Sequence, residues 1–497
     1  MPKEPIRTHY SGAIIFATKL ISIAVSIASA LMIANYLSQK ELGVYGVFNF
    51  IVPYFTLLSG AISFWAMRFV ARDKPGATKT GIAANTAIAI VATLAYLAML
   101  PIIVPSFRLE SYVVVYVVTA AQVIEAYLIA VLEACLQAER PHFVGYGSLI
   151  GDVTQAVFTY IFVLQLQLGV LGVMLSVVIG FAIKTGFYFK TILKELQQKL
   201  QLGYVKEWLK GSTFNVYTII GDRIASILFI LLAQSTIGTS YYVASTQITN
   251  MIIYTTFLAF ALYPKILAEN RVDIATGSMK LVLMFAIPMT AAVITIPGSY
   301  LLFLKQDGEY VVAAPVLTIL AIDALISVFS SLFTSVLYGI EKVDEKSEIP
   351  FKQVTRSRLF ISFSLPYVHS AITLPAAFYA LTYLARGDPL LVAGYLVGIN
   401  AIGHFAMLLV VYRVLSKAVR INIPWRSIGK FTVSSAIMAL ALFAAHPERR
   451  TTTLVLTIVG AGVYFGLVLA LDKETRNLAR TLFHGIGSRM KKPSSTR

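Results

Sequence analysis

The sequence predicts an all-α polytopic membrane protein with about 14 transmembrane helices. Three observations lead to that fold class. Apolar windows recur from Ser11 to Leu471, each near the roughly 20 residues that a helix rising about 1.5 Å per residue needs to cross a bilayer. The chain is 57% hydrophobic and only 13% charged, against about 25% charged in a soluble domain. With the N-terminus placed in the cytoplasm, 33 of the 41 Lys and Arg fall on the cytoplasmic side, 6 fall outside, and 2, Lys19 and Arg223, lie within helices. That asymmetry accounts for the net charge of +17 and puts both termini in the cytoplasm of a multi-pass plasma-membrane protein. No nucleic-acid partner is then needed to explain the basic balance.

Taken in order, the spans are expected at 11 to 36, 43 to 70, 81 to 104, 112 to 136, 143 to 166 and 168 to 190. A second set follows at 212 to 235, 239 to 264, 279 to 304, 311 to 338, 357 to 384 and 389 to 415, and a final pair at 428 to 445 and 451 to 471. Span 1 is too long for a signal-peptide core and lacks a small-residue cleavage site, so it reads as a true helix. Cys135 is the lone cysteine, so it forms no intramolecular disulfide and reads as a small packing residue. The longest cytoplasmic connections, Thr191 to Gly211 and Glu341 to Arg356, are dense in charge. In the first, Ile192, Leu193, Leu196 and Leu200 recur at the spacing of an interfacial helix.

That connection divides the chain into a first lobe at 1–190, a cytoplasmic interfacial linker at 191–211, a second lobe at 212–415, an extra helix pair at 416–471 and a basic cytoplasmic tail at 472–497. An internal repeat agrees with it: Leu37, Gln39, Leu42 and Gly43 fall on Leu232, Gln234, Ile237 and Gly238 at a constant offset. Six helices per repeat conserve orientation, so the two six-helix lobes are expected to be related by a pseudo-two-fold axis along the membrane normal.

Two segments carry a family resemblance. Leu42 to Phe48, through Gly60 to Arg68-Phe69-Val70-Ala71-Arg72, resembles the first-to-second helix signature of polysaccharide flippases. Gly221-Asp222-Arg223-Ile224 and then Gly238 to Ala244 resemble the seventh-to-eighth helix signature, and the run Gly339-Ile340-Glu341-Lys342 resembles the close of the tenth helix. The chain thus resembles the Wzx-like flippases of lipid-linked oligosaccharides, within the multidrug/oligosaccharidyl-lipid/polysaccharide (MOP) exporter superfamily. Two departures are visible: Tyr241 is an extra aromatic, and the last helix pair exceeds the usual 12, as in the lipid II flippase branch. The resemblance implies transport rather than enzymatic activity, membrane lipids and a lipid-linked oligosaccharide as partners, a monomer and no cofactor beyond a possible coupling Na+ or H+.

Charges within the spans are expensive and each needs a partner, a wet cavity or a route to the headgroups. Lys19 and Arg223 place one deep cation in each lobe, which suits a phosphate headgroup; Arg68 ends span 2 as a headgroup anchor and candidate gate for lipid entry. These three are the candidate substrate-binding residues. Asp222 and Asp152 read either as partners of structural cations or as coupling-ion sites. Glu125 either pairs with a cation such as Lys19 or carries a proton, and Asp323 is of the same kind. Glu133 lies near water and Lys184 is expected to snorkel. His369 and His404 read as satisfied polar contacts, since neither has an evident acid partner or metal-ligand spacing. No P-loop, nucleophile constellation or metal cluster is visible, so no catalytic residue or metal ligand is assigned.

The leading expectation is a flippase that carries a polyprenyl-(pyro)phosphate-linked oligosaccharide from the cytoplasmic to the outer leaflet by alternating access. A cation-coupled multidrug exporter of the MATE type is the alternative, favoured by Asp152 and Glu125 and disfavoured by Lys19 in span 1. A membrane-embedded glycosyltransferase or polymerase ranks third, because the outer loops are short.

Overall fold

In a computed structural model of the chain, the residues described are 39–106, 110–225, 236–302, 310–342, 351–385, 387–472 and 475–476, with scattered positions between 18 and 37. Among them the chain is all helix, with no strand. Eleven of these helical segments are long and apolar enough to cross a membrane: Ala77–Pro105, Val113–Glu139, Pro141–Gln165, Gly169–Thr191, Ala244–Glu269, Ile274–Thr295, Val311–Ile340, Arg358–Leu384, Pro389–Ala418, Trp425–Ala445 and Arg450–Leu471. They coincide with expected spans 3 to 6 and 8 to 14. Most of span 1, including Lys19, lies outside the described residues, as does the second half of span 7.

The chain forms two compact units. The first comprises residues 1–219, 263–270 and 339–363, and the second residues 220–262, 271–338 and 364–497. The labels used below run α1 Gln39–Phe55, α2 Ser59–Ala71, α3 Ala77–Ser106, α4 Val113–Glu139, α5 Pro141–Thr159, α6 Gly169–Thr191 and α7 Leu202–Ala225. They continue with α8 Thr236–Ile253, α9 Leu262–Glu269, α10 Ile274–Thr295, α11 Ala314–Ile340, α12 Arg358–Tyr379, α13 Pro389–Ala418, α14 Trp425–Ala445 and α15 Arg450–Leu471.

In the first unit, α4 packs against α2, α3 and α6, and α5 lies along α6. Three buried tyrosines, Tyr96, Tyr116 and Tyr127, cross-link this bundle through backbone carbonyls. Span 2, expected as one helix, is two. The chain breaks between Phe55 and Ser59, just past Pro53, which has no N–H to give. The Phe55 carbonyl freed by the break is answered from a neighbouring helix, the Tyr127 hydroxyl donating to it at 3.0 Å, and Asn85 Nδ2 adds a bond of 3.2 Å to Ser59 O at the start of α2. The expected interfacial helix around Leu196 is a single 3-10 turn, Glu195–Gln197, and helix resumes only at Leu202. Arg140 pins that turn by donating to Thr191 O at 2.7 Å and to Glu195 Oε1 at 2.8 Å.

In the second unit, α10 packs against α14, α14 against α15, and α8 against α13. The last helix pair is fastened to α10 and the turn after it at both ends. At one end, buried Asp472 accepts from Lys280 at 2.8 Å and from Lys430 at 3.0 Å. Burial alone would raise its carboxyl, but hydrogen bonds from Lys280, Thr475 and Lys430 outweigh that and hold it well below the usual carboxylate range. At the other, Arg450 donates to Leu302 O at 2.7 Å and Ser299 to Pro447 O at 2.7 Å. Between them the Tyr464 hydroxyl donates to Met284 O at 2.7 Å.

Candidate functional site: polar clusters within the spans

The first unit holds its interior acid and base together. Lys184 and Tyr188 lie one helical turn apart on α6 and so face the same way. Both meet Glu133 of α4: Lys184 Nζ lies 2.7 Å from Glu133 Oε1, and the Tyr188 hydroxyl lies 2.9 Å from the same oxygen. Lys184 therefore reaches inward to an ion pair instead of out to the headgroups. The close approach of α5 depends on Gly147, where a Cβ would fall inside the Tyr188 ring. Two turns along α4, Glu125 is half-buried and its Oε2 has no hydrogen-bond partner, nor has Gln122 Oε1. Asp152 is half-buried on α5.

Arg68 is wholly buried. Its guanidinium donates to the Tyr263 hydroxyl at 3.1 Å and to Glu341 O at 2.7 Å, and lies near the faces of Phe64 and Tyr263. Arg72 donates to the same Glu341 carbonyl at 2.9 Å. Two arginines thus satisfy a carbonyl that the end of α11 leaves without a helical donor, where the helix dipole also favours positive charge. Gly339 allows α9 this close, since a Cβ there would meet Ile266 at 2.7 Å. The Gly-Ile-Glu-Lys run is thereby explained by packing and capping. Beside the clamp opens a cavity of about 310 Å³, lined among others by Arg72, Asp73, Lys74, Asn270 and Lys342.

Within the second unit, Asp222 and Arg223 are exposed on α7. Gly221, beside them, is buried where a Cβ would meet the Tyr367 ring at 2.7 Å, so α7 and α12 touch closely just there. A separate cluster forms near the middle of three spans. Asp323 of α11 is buried; its Oδ1 lies 2.7 Å from His404 Nδ1 of α13, and its Oδ2 accepts from Asn400 Nδ2 at 3.3 Å. The ring of His369, on α12, stacks on that of His404 with centroids 5.1 Å apart. Asp323 was legible as an intramembrane acid, but its partners were not. Asn400 and His404 lie one turn apart on another helix, and the only available signal was that two histidines interrupt otherwise apolar spans. Among the described residues, no group of His, Cys, Asp and Glu is placed to hold a metal ion.

No protein-family model matches the sequence, and no curated protein matches it. Solved structures do match by fold. A MOP superfamily transporter from Pyrococcus furiosus, whose binding pocket is described as reversed in polarity, superposes with a TM-score of 0.64 at 14% identity, covering 82% of this chain and 95% of that one. A multidrug resistance MATE family transporter in an outward-facing conformation gives 0.63 at 15% identity, over 82% and 95% of the two chains. The Vibrio cholerae MATE transporter VcmN gives 0.57 at 12% identity, over 83% and 94%. This chain is an all-helical membrane protein with the fold of the MATE transporters of the MOP superfamily.

Proposed function

We propose that this chain is a transporter that moves a polyprenyl-(pyro)phosphate-linked oligosaccharide from the cytoplasmic to the outer leaflet by alternating access, with both termini in the cytoplasm. The phosphate and sugar of such a cargo cannot cross about 30 Å of hydrocarbon unless polar groups replace their water. The observation that carries the reading is the sign of the charges offered to a cargo. Arg223 is exposed within span 7, and Arg72, Lys74 and Lys342 border the cavity beside α2 with Asp73 as the one acid among its lining residues. Several interior acids are committed elsewhere: Glu133 to Lys184, Asp472 to two lysines, and Asp323 to His404 and Asn400. Arg223 acts as a phosphate fork, and Lys19 is its proposed counterpart. Arg68, with its guanidinium held by Tyr263 and Glu341, serves the same function by fixing the ends of α9 and α11.

A second reading, export of organic cations in the MATE manner, is favoured by one observation: Glu125 offers a buried, unpartnered carboxylate oxygen inside the first unit. Competition binding separates the two. Purified protein in nanodiscs is titrated with a short polyprenyl phosphate and with a hydrophobic organic cation, following thermal unfolding. The flippase reading expects stabilisation by the phosphate lipid, weakened at least tenfold in Arg223→Ala. Stabilisation by the cation alone, lost in Glu125→Gln, would transfer the assignment to the exporter.

A further inference from the structure

We propose that the cavity beside the Arg68 and Arg72 clamp is a binding site for a phosphate group, and that a group bound there ties together segments from the two sequence repeats. The proposal goes beyond the transport reading above and rests on it only for the side of the membrane, the cytoplasmic one, that the cavity faces. Three chain turns meet at the cavity: Arg72 to Lys74 after α2, Leu267 to Asn270 at the end of α9, and Gly339 to Lys342 at the end of α11. All three belong to the first unit. By sequence, α2 comes from span 2 of the first repeat, while α9 and α11 close spans 8 and 10 of the second. The cavity volume of about 310 Å³ lies at the lower limit of small-molecule sites, roughly 300–1,000 Å³. That size suits a pyrophosphate or a phosphate headgroup.

The lining offers three cations, Arg72, Lys74 and Lys342, against one acid, Asp73, with the Asn270 amide beside them. Helix C-termini attract cations, but these helix ends are answered by other donors. The carbonyls of Arg68, Phe69 and Val70 accept from the backbone N–H groups of Arg72, Lys74 and Asp73 at 3.2, 3.0 and 3.1 Å, and Ile266 O accepts from Asn270 N–H at 2.8 Å. Glu341 O is held by Arg68 and Arg72. The neighbouring acids are engaged as well: the Glu341 carboxylate accepts from the backbone N–H groups of Lys342 and Arg358, both at 3.2 Å, and Glu269 lies 4.0 Å from Lys265. Among the described residues, no acid pairs with Lys74 or Lys342.

Charge and order together select the ligand. Three cations less one carboxylate leave a net +2 in the lining, which matches the charge of about −1.5 to −2 on a phosphate monoester at pH 7. Arg72 supplies a planar fork, and the two lysines supply mobile point charges. The turns that carry these groups are set before a ligand arrives, which lowers the cost of binding. Asp73 and Asn270 sit at φ 56° and 53°, in the left-handed region where Asp and Asn are the better tolerated side chains. Gly76 N–H donates to the Gln198 side chain and anchors the first turn. A phosphate bridging Lys74 and Lys342 adds charge-assisted hydrogen bonds between the two repeats.

The test is made without cargo. Purified protein, stripped of lipid in detergent, is titrated calorimetrically with inorganic pyrophosphate at constant ionic strength. The proposal expects saturable binding that weakens about tenfold or more in Lys74→Gln and in Lys342→Gln, both at positions that are not buried, and that tightens in Asp73→Asn. Bound pyrophosphate should also slow hydrogen exchange at 267–270 and 339–342. Binding unaltered in the double lysine variant, chloride competing as an equal, or no protection of those two segments overturns the proposal. Repeating the titration in Arg223→Ala separates the site from the proposed cargo fork: binding lost there, while both lysine variants retain it, overturns the site and leaves the transport reading standing. Nanodiscs containing phosphatidate, compared with phosphatidylcholine alone, then name the source of the phosphate. Displacement of pyrophosphate by phosphatidate assigns it to a lipid headgroup, and undisturbed binding assigns it to a soluble phosphate compound; either result supports the site.

Discussion

Asp472 and Asp323 are both buried carboxylates of the second unit, and they are answered by different kinds of cation. Asp472 sits past the end of α15 between two lysines and two hydroxyl groups, Ser427 and Thr475. Its partners are two lysines and two hydroxyls gathered from three helical segments, and the cluster works as a fastener for the last helix pair. Asp323 sits near mid-span against an imidazole, a partner whose charge depends on proton supply. The same residue type is structural in one place and conditional in the other, and the difference lies in the second partner.

Removing the carboxylate from the fastener should have the largest effect. Asp472→Ala leaves Lys280 buried without its acid, and loss of about 3–5 kcal/mol is expected by denaturant or thermal unfolding in detergent, with the last two helices becoming protease-sensitive. Acid should imitate that change more mildly. Because the folded pKa of Asp472 is depressed, its contribution is complete above the unfolded value of about 3.9 and is lost as pH falls through the folded one. Unfolding temperature should therefore fall below about pH 4 in a manner that Asp472→Asn removes. In the Asp323 cluster the matching disturbance is steric: Gly403→Ala pushes a methyl against His369 and should cost about 1–3 kcal/mol. The smallest effect should come from replacing an entire pair. Glu133→Leu with Lys184→Met exchanges an ion pair for apolar packing, and a net change within about 1 kcal/mol is expected. Either single replacement should cost more, which a double-mutant cycle would resolve.

The bilayer explains why spans 3 to 6 and 8 to 14 were legible, most to within a few residues, with span 9 ending at Thr295 where 304 was expected: a fixed hydrocarbon thickness demands a length, and backbone polar groups leave helix as the economical choice. Departures arose where tertiary partners replace local hydrogen bonds. The break before Ser59 is viable because Tyr127, from another helix, answers the Phe55 carbonyl it frees, while Asn85 holds the start of the next helix. The apolar residues at Leu193 and Leu200 suggested an interfacial helix, but Arg140 holds the intervening chain as a turn. Side-chain partnerships were hardest to read. Glu133 meets Lys184 across 51 residues of sequence and Asp323 meets His404 across 81. No spacing rule within one helix reaches that far. Each residue could be recognised as expensive in a membrane, while its role required knowing what stood opposite.

The central claim is that an anionic, lipid-linked sugar crosses by way of a cationic path that includes Arg223. Its most direct test is translocation of a short polyprenyl-pyrophosphate sugar in proteoliposomes, read by accessibility to an external sugar-modifying reagent. Wild type and Arg223→Ala should be compared at matched reconstitution. The account predicts transfer by the wild type and at least tenfold slower transfer by the variant. Equal transfer by both would remove Arg223 from the path, and proton-linked organic-cation uptake with no lipid transfer would contradict the assignment itself.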